Sequence, residues 1–493
     1  IRVLSPLVTM RVSIQQLAFG SRILVVVIQF LANHLLPDHD AGVFLSPAGR
    51  LRRLDWFIEG LLGGFRRWDA QYFLHIAEYG YTYENTLAFF PLFPLCVRTL
   101  GQFLQYVLPF LSLRSILLLV GVSLNVFFFT KATQSLYELS VRVLGSRSRA
   151  KIAAVLFCIN PASIFFSATY SESLFAWLTF TFMRQCVQDI SVSITFPLSL
   201  SILCRSNGLL NIGFLCYFAL RKVVLELSVK TFLGVVLKSA VISFFVVFHF
   251  GLLQAYHFYL FCHQLSIKFP QHIVAYAHEM SLILAGNKTE TSSPWCSQKI
   301  PLAYKYVQSH YWDVGFLRYY ELKQLPNFLL ATPIVIVIFS KFIHYVRCNR
   351  SYSLRLGIFV PAVIFRKMRR LDIESFAFVI HATALTLFCI LFIHVQVTTR
   401  MLASSSPLLY WTVAETFRYP QITAPKDVTE KDAPPGCTRK LHNIDEETDT
   451  IDTVFLENCW YEKSNRSGRV LTMWFILYFL MGTVFFSKFL PWT

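Results

Sequence analysis

Between residues 66 and 95 the chain reads RRWDAQYFLHIAEYGYTYENTLAFFPLFPL, a stretch that crowds acids, aromatics and a histidine together. Asp69, Tyr72 and His75 recur at helical spacing, and Tyr72, Ile76 and Tyr79 share one face. Trp68, Tyr72, Tyr79, Tyr81 and Tyr83 add an aromatic and hydroxyl cluster. Stacking rings beside carboxylates suit a sugar, which has an apolar ring face and a hydroxyl rim. An interfacial aromatic belt around a surface helix accounts for the same aromatics. An acid at a membrane surface needs a further reason, and this singles out Asp69.

Other polar groups interrupt apolar surroundings. Asp38 and Asp40 in Pro-Asp-His-Asp could ligate a metal or cap a helix; the spacing is common and weak as a metal signal. Glu172 opens an apolar run, where a helix dipole alone would favour it. Arg205, Ser206 and Asn207 break two apolar runs. The arginine suits a phosphate, or snorkels to the interface. His310, Trp312, Asp313, Arg318 and Lys323 precede another apolar run and could bind an anionic lipid head or ring the membrane. His394, Gln396 and Arg400 offer a further phosphate contact. Each residue alone has a bland alternative; five separated segments carrying such groups on one membrane face argue for a site. There is no P-loop, no Gly-x-Gly-x-x-Gly, no nucleophile elbow and no His-Glu-x-x-His.

The elements that must position these groups are membrane spans. Of 493 residues, 55% are hydrophobic, 16% aromatic and only 15% charged, whereas soluble domains carry about 25% charged residues. Apolar runs predict about eleven spans, at 13–36, 116–131, 152–166, 173–186, 190–204, 209–220, 232–256, 326–343, 373–394, 401–416 and 470–490. The run 87–108 contains Pro91, Pro94 and Arg98 and is expected along the membrane surface. With the N-terminus in the cytosol, the basic loops 142–151, 221–230 and 341–370 all fall on the cytosolic side. Loops 37–115, 167–172, 257–325 and 395–400, which hold nearly all the suspicious polar residues, then share the opposite side. The net charge of +17 belongs to those short basic loops, so nucleic acid is not an expected partner. The eleven cysteines show no Cys-x-x-Cys spacing and no zinc site is expected. Cys262 and Cys296 fall in one large loop, which permits a disulfide without establishing it. Asn287 in Asn-Lys-Thr is a glycosylation candidate, whereas Asn465 is expected bare. The polar stretch 417–469 is expected to be a variable, mobile loop.

Taken together, Trp-Asp-Ala from Trp68, His-Ile-Ala-Glu-Tyr-Gly-Tyr from His75 and Ala-Phe-Phe-Pro-Leu-Phe-Pro from Ala88 resemble the GPI mannosyltransferase 2 family. So do Asn-Pro-Ala-Ser-Ile-Phe-Phe-Ser-Ala-x-Tyr-Ser-Glu-Ser from Asn160, Cys-Arg-Ser-Asn-Gly at 204–208, Tyr-Trp-Asp-Val-Gly-Phe-Leu-Arg-Tyr at 311–319 and the final Phe-Leu-Pro-Trp-Thr. The resemblance implies one all-α, GT-C type membrane glycosyltransferase domain with lumenal loops and surface helices. It implies transfer of the second mannose, α1,6-linked, from dolichyl-phosphate mannose to the GPI-anchor precursor glycolipid in the endoplasmic reticulum lumen. No cofactor and no metal are expected beyond that donor. The partners are the two lipid substrates, membrane lipid and a small membrane subunit.

Such a transfer needs a base for the acceptor hydroxyl and cations for the departing phosphate. Asp69 is the expected base, with Asp38 second. Arg205, Arg318 or Arg400 is the expected contact for the departing phosphate. Trp68, Tyr72, His75 and Glu78 would shape the sugar site, with Glu172, Asn207, His310 and Trp312 as further substrate contacts. A lipid transporter or scramblase shares the apolar spans, but matched halves with broken helices are not visible. A lipid-linked transferase of different sugar specificity also stays open, because linkage and acceptor come only from the resemblance.

Overall fold

A computed structural model describes residues 12–47, 52–286, 293–361, 370–417, 450–451 and 466–492. Asn287 and Asn465, residues 362–369 of the basic segment and nearly all of the 417–469 loop lie outside them. The regular structure of the described residues is helical, apart from a short antiparallel pairing of Val12–Ser13 with Thr450–Ile451 and a single bridge between Tyr83 and Leu284. The all-α, polytopic architecture expected from the sequence is the one the structure has.

Among the described residues, seven helices are long and apolar enough to cross a membrane: Ile14–Leu35, Leu113–Leu144, Ser206–Glu226, Val229–Cys262, Leu322–Cys348, Leu371–Phe392 and Arg466–Ser487. The other four expected spans are shorter or broken. They are Arg147–Cys158 with a following 3-10 turn, Glu172–Gln188, Val192–Cys204, and the pair Thr398–Ser405 and Pro407–Ala414. Twelve helical residues rise about 18 Å against a hydrocarbon core of about 30 Å. The expected count of eleven therefore does not follow from helix length. The run 87–108 becomes a 3-10 turn and the helix Leu92–Val107, with Leu95, Phe103 and Tyr106 exposed along it.

Local chemistry explains the boundaries. Ser13 and Gln16 form a capping box that starts the first helix. The helix Leu113–Leu144 starts at Ser112, whose side chain accepts the Ser115 N–H, and ends at Gly145 with φ +61. Ser146 then caps the next helix by accepting the Arg149 N–H. Leu113–Leu144 is the hub. It packs on Ile14–Leu35, Leu92–Val107, Arg147–Cys158 and Glu172–Gln188.

The broken stretch after Cys158 leaves backbone carbonyls inside an apolar bundle, where an unsatisfied one is costly. Arg22 on the first span answers them. Its guanidinium is fully buried and donates to Ser163 O and Cys158 O at 2.8 Å, to Ser163 Oγ at 2.6 Å and to Ser167 Oγ at 3.1 Å. It also lies 3.8 Å above the Phe129 ring. That connection carries the residues leading into Glu172.

Outside the spans, segments from the first and third expected lumenal loops pack into one lobe. Cys262 and Cys296 are joined in a disulfide with Cα atoms 5.5 Å apart. The buried Glu84 carboxylate accepts from Trp295 Nε1 at 2.8 Å, from Tyr311 Oη at 2.9 Å and from the Ser293 hydroxyl. Closing 34 residues with a covalent link removes roughly 3–4 kcal/mol of unfolded-state freedom in the loop-entropy treatment. Cys262→Ser, Cys296→Ser and the double variant should therefore lose the same thermal stability in detergent. Additive losses would show that the two sulfurs do not act as one bond.

Candidate active site

Asp69 sits immediately before the helix Ala70–Tyr79, at the end of a turn made by Trp68. Trp68 has φ +56, a left-handed conformation that costs an L-residue about 1–2 kcal/mol. The turn aims the Asp69 N–H at Tyr170 Oη, which accepts it at 2.9 Å. The Asp69 carboxylate takes Arg400 Nη1 on Oδ2 at 2.9 Å. Arg400 stands on the short helix Thr398–Ser405, 331 residues away in sequence.

The chain of charge continues inward. The same Arg400 nitrogen lies 4.0 Å from Glu172 Oε1, and that oxygen also accepts from Arg205 Nη1. Glu172 has no solvent exposure and opens the helix Glu172–Gln188. Arg205 donates through Nε to Asn207 Oδ1 at 3.3 Å and through Nη1 to Ser171 Oγ at 3.4 Å. Asp69, Arg400, Glu172 and Arg205 thus alternate in sign. Asp69 and Glu172 flank the Arg400 guanidinium with opposite charge. Gly208 lets the Arg205 turn close, since a Cβ there would lie 2.6 Å from Ser201 O.

Several polar atoms of these residues are buried with no protein partner: Glu172 Oε2, Arg400 Nε, Asn207 Nδ2 and Trp68 Nε1. Buried groups of this kind are uncommon and call for an explanation. Three unused donors and an unused acceptor around a paired carboxylate would serve a ligand rich in hydroxyl and phosphate oxygens.

Beside the charges stands an aromatic wall. Tyr72 is stacked between Phe44 at 4.3 Å and Phe89 at 4.4 Å, and meets the Trp312 ring at 5.9 Å. Both Tyr72 faces are therefore covered, which leaves its edge and hydroxyl for a substrate. Burial raises its phenol pKa, so it remains a donor.

The other expected site residues lie elsewhere. His75 is fully buried, with Nδ1 2.9 Å from Ser46 Oγ and Nε2 2.6 Å from Thr82 Oγ1. Both nitrogens are committed to the protein, so it braces the loop rather than touching sugar. Asp38 accepts from Arg67 at 2.9 Å and Lys488 at 2.9 Å, an ion triad that clasps the C-terminal end of the chain to the turn before Trp68. The structure therefore places it apart from the Asp69 cluster, with one carboxylate oxygen on each cation. Glu78 lines a small recess with Arg66 and Arg114, and burial raises its pKa. His310 stacks on Tyr306 at 5.2 Å and is exposed. Arg318 pairs with Asp313 at 3.1 Å, in a recess beyond Trp312. Sequence reasoning missed Tyr170, which lies two residues before Glu172 in a quoted motif, and Glu84, which gave no spacing signal.

A family model described as Mannosyltransferase (PIG-V) matches residues 11–493. The chain belongs to this family of mannosyltransferases. It is similar to GPI mannosyltransferase 2 of Drosophila pseudoobscura pseudoobscura, 38% identical, with 97% of this chain and 99% of that protein covered. It is also similar to GPI alpha-1,6-mannosyltransferase 2 of Homo sapiens, 36% identical over 98% of this chain and 99% of that one. Among solved structures, the apo form of Archaeoglobus fulgidus oligosaccharyltransferase aligns with 96% of this chain and 56% of its own. The TM-score is 0.41 and the identity 12%, too distant to carry an argument. The mannosyltransferase is an enzyme built on membrane helices, and its ionic cluster joins Asp69, Glu172, Arg205 and Arg400 from four separate stretches of the chain.

Two outcomes follow from this geometry. Removing one member of a buried ion pair typically costs 3–5 kcal/mol, because the partner charge is left stranded. Glu172→Gln should destabilise the protein by about that amount, and combining it with Arg205→Gln should recover part of the loss. Thermal unfolding of the four forms measures the coupling; strict additivity would mean that the pair is not coupled. Burial also pushes His75 down to about 3, from an ordinary 6.5. Its contribution is complete above pH 6.5 and declines as pH falls towards 3, because the unfolded chain takes up a proton that the folded one refuses. Between pH 6 and pH 4 this adds a slope of up to about 1.4 kcal/mol per pH unit. His75→Gln should remove that increment from a pH series of melting curves; unchanged slopes would contradict it.

Proposed function

We propose that this mannosyltransferase transfers the second mannose, α1,6-linked, from dolichyl-phosphate mannose to the GPI-anchor precursor at the lumenal face of the endoplasmic reticulum. The names of relatives covered almost end to end support the reaction and linkage. The lumenal side is supported by the basic loops, which share the opposite face in the sequence topology. A small membrane subunit belongs to the same proposal and rests on family resemblance alone.

The observation that carries the chemistry is the Asp69–Arg400 pair at 2.9 Å, continued through Glu172 to Arg205. Asp69 uses Oδ2 for Arg400, leaving Oδ1 for the acceptor hydroxyl. As that hydroxyl oxygen bonds to the anomeric carbon, its proton passes to Asp69 and the bond to the dolichyl phosphate oxygen breaks. Negative charge builds on the departing phosphate. Arg400 and Arg205, locked in place by Glu172, meet it without reorganisation, which is where electrostatic preorganisation lowers a barrier most. Attack opposite the leaving group inverts the sugar carbon. The partly exposed Asp69 side chain, at 29%, is open to an arriving acceptor, whereas Glu172 at 0% is not. This difference favours Asp69 over Glu172 as the base.

Asp69→Asn keeps size and hydrogen bonding but cannot take the proton. It should insert and fold normally while losing about 10²–10⁴-fold in transfer rate. The assay is complementation of cells that accumulate the one-mannose precursor, read by glycolipid analysis and surface levels of GPI-anchored proteins. Restoration of both by Asp69→Asn, expressed at the wild-type level, would refute the base assignment. Failure of the wild-type chain to relieve the accumulation would refute the reaction itself.

A further inference from the structure

The outer lobe sends one phenol towards the ionic cluster. Tyr304 stands in the first turn of the helix Ala303–Trp312. Its hydroxyl oxygen lies 2.8 Å from Oγ of Ser206, the residue that follows Arg205. Its ring meets Phe90 edge-on at 5.4 Å. Arg205 and Arg400 are both near enough for their charges to act on the phenol. These are the two guanidiniums assigned above to the departing phosphate.

The helix that carries Tyr304 is firmly seated. Ala303 and Val307 have no solvent exposure, and Tyr311 donates to the buried Glu84 at 2.9 Å. Tyr304, Val307 and Tyr311 recur at three- and four-residue spacing, so they share one face. At the far end of the helix, about 12 Å on by its rise per residue, the Trp312 ring meets Tyr72 at 5.9 Å. One short helix thus reaches both the arginines and the aromatic wall.

Two hydroxyls share one hydrogen bond at Ser206. Each owns a single O–H, so one O–H closes the contact and the other has no second partner among the described residues. A phenol is more acidic than an alcohol and is the stronger donor to an anion. With Ser206 donating to Tyr304 Oη, the phenol is polarised and its own proton is free to donate. Asn207 Nδ2 and Arg400 Nε, in the same cluster, are also buried without a protein partner. Burial raises the Tyr304 pKa, and Ser206, Arg205 and Arg400 oppose that rise without cancelling it. The phenol therefore keeps its proton at neutral pH and can lend it in a hydrogen bond.

We propose that Tyr304 is a further catalytic residue of the mannosyltransferase, its hydroxyl donating to the phosphate as it departs. The assignment rests on the transfer reading above and adds a neutral donor beside Arg205 and Arg400. When the bond between the anomeric carbon and the phosphate oxygen breaks, its electron pair stays on that oxygen. Tyr304 stabilises the growing charge and retains its proton, while the acceptor's proton goes to Asp69. Because the phenol comes from the outer lobe, seating of that lobe completes the phosphate site.

The test combines binding with turnover. Purified full-length protein is titrated with dolichyl phosphate and with dolichol, which lacks the phosphate, and steady-state transfer is measured alongside. Tyr304→Phe keeps the ring against Phe90. It should lower kcat and weaken dolichyl phosphate binding by about tenfold to a hundredfold, the worth of a hydrogen bond to a charged group. Dolichol binding and the acceptor KM should not change, which also shows that the variant is folded. Ser206→Ala should lose less than Tyr304→Phe. Unaltered kcat and dolichyl phosphate affinity in Tyr304→Phe would overturn the assignment. So would equal losses for dolichol and dolichyl phosphate, which mark a change of pocket shape, or a greater loss in Ser206→Ala, which would give the free donor to the serine. A wild type that binds dolichyl phosphate through Tyr304 but transfers no mannose would leave the phosphate contact standing and overturn the transfer reading instead.

Discussion

A carboxylate with no exposure to water, set among apolar helices, has to be surrounded by cations. Glu172 is that carboxylate, and the arrangement of the site follows from it. Arg205 contacts Glu172 directly, and Arg400 stands 4.0 Å from it and 2.9 Å from Asp69. Desolvation makes a buried charge expensive alone, so Glu172 needs its guanidiniums, whereas the partly exposed Asp69 keeps contact with water. The same requirement fixes geometry. Two guanidiniums held by one buried anion cannot swing away, and the exposed end of the set, Asp69, is aimed before any substrate arrives.

The rest of the molecule reads as support for that set. Arg22 satisfies the carbonyls of the broken stretch that leads into Tyr170 and Glu172. Asp38, Arg67 and Lys488 clasp the chain's C-terminal segment to the turn at Trp68, and the Trp68 ring lies 6.1 Å from Phe489. Glu84 and the Cys262–Cys296 disulfide fasten the outer lobe that carries Trp312. Arg22 sits where backbone irregularity meets a low-dielectric interior, since broken helices expose groups that only a specific side chain can satisfy. A straight bundle would be easier to stabilise but would offer no polar pocket.

Legibility differed between kinds of residue. Asp69, Glu172, Arg205 and Arg400 stood out because charge in apolar surroundings is costly wherever it occurs, and the structure gathers all four. Asp38 stood out for the same reason, yet its partners are Arg67 and Lys488, the latter 450 positions away. His75 had the helical spacing of a site residue, and Ser46 and Thr82 took both of its nitrogens instead. Glu84 was invisible in a polar loop because its significance lies in Trp295 and Tyr311, which are supplied by a different segment. Arg22 was absorbed into an apolar run whose hydropathy it hardly changed.

By itself the sequence determined the solvent and the class: apolar runs of span length, basic loops on one side, polar interruptions on the other, and motifs that mark a mannosyltransferase. These follow from composition and local order, which a one-dimensional reading captures. Only the tertiary structure decided which charge faces which, that Tyr72 offers an edge rather than a face, and that seven helices have spanning length while others are broken. Electrostatic pairing and satisfaction of buried backbone act across hundreds of residues, and no local pattern records the partner that a charge will find.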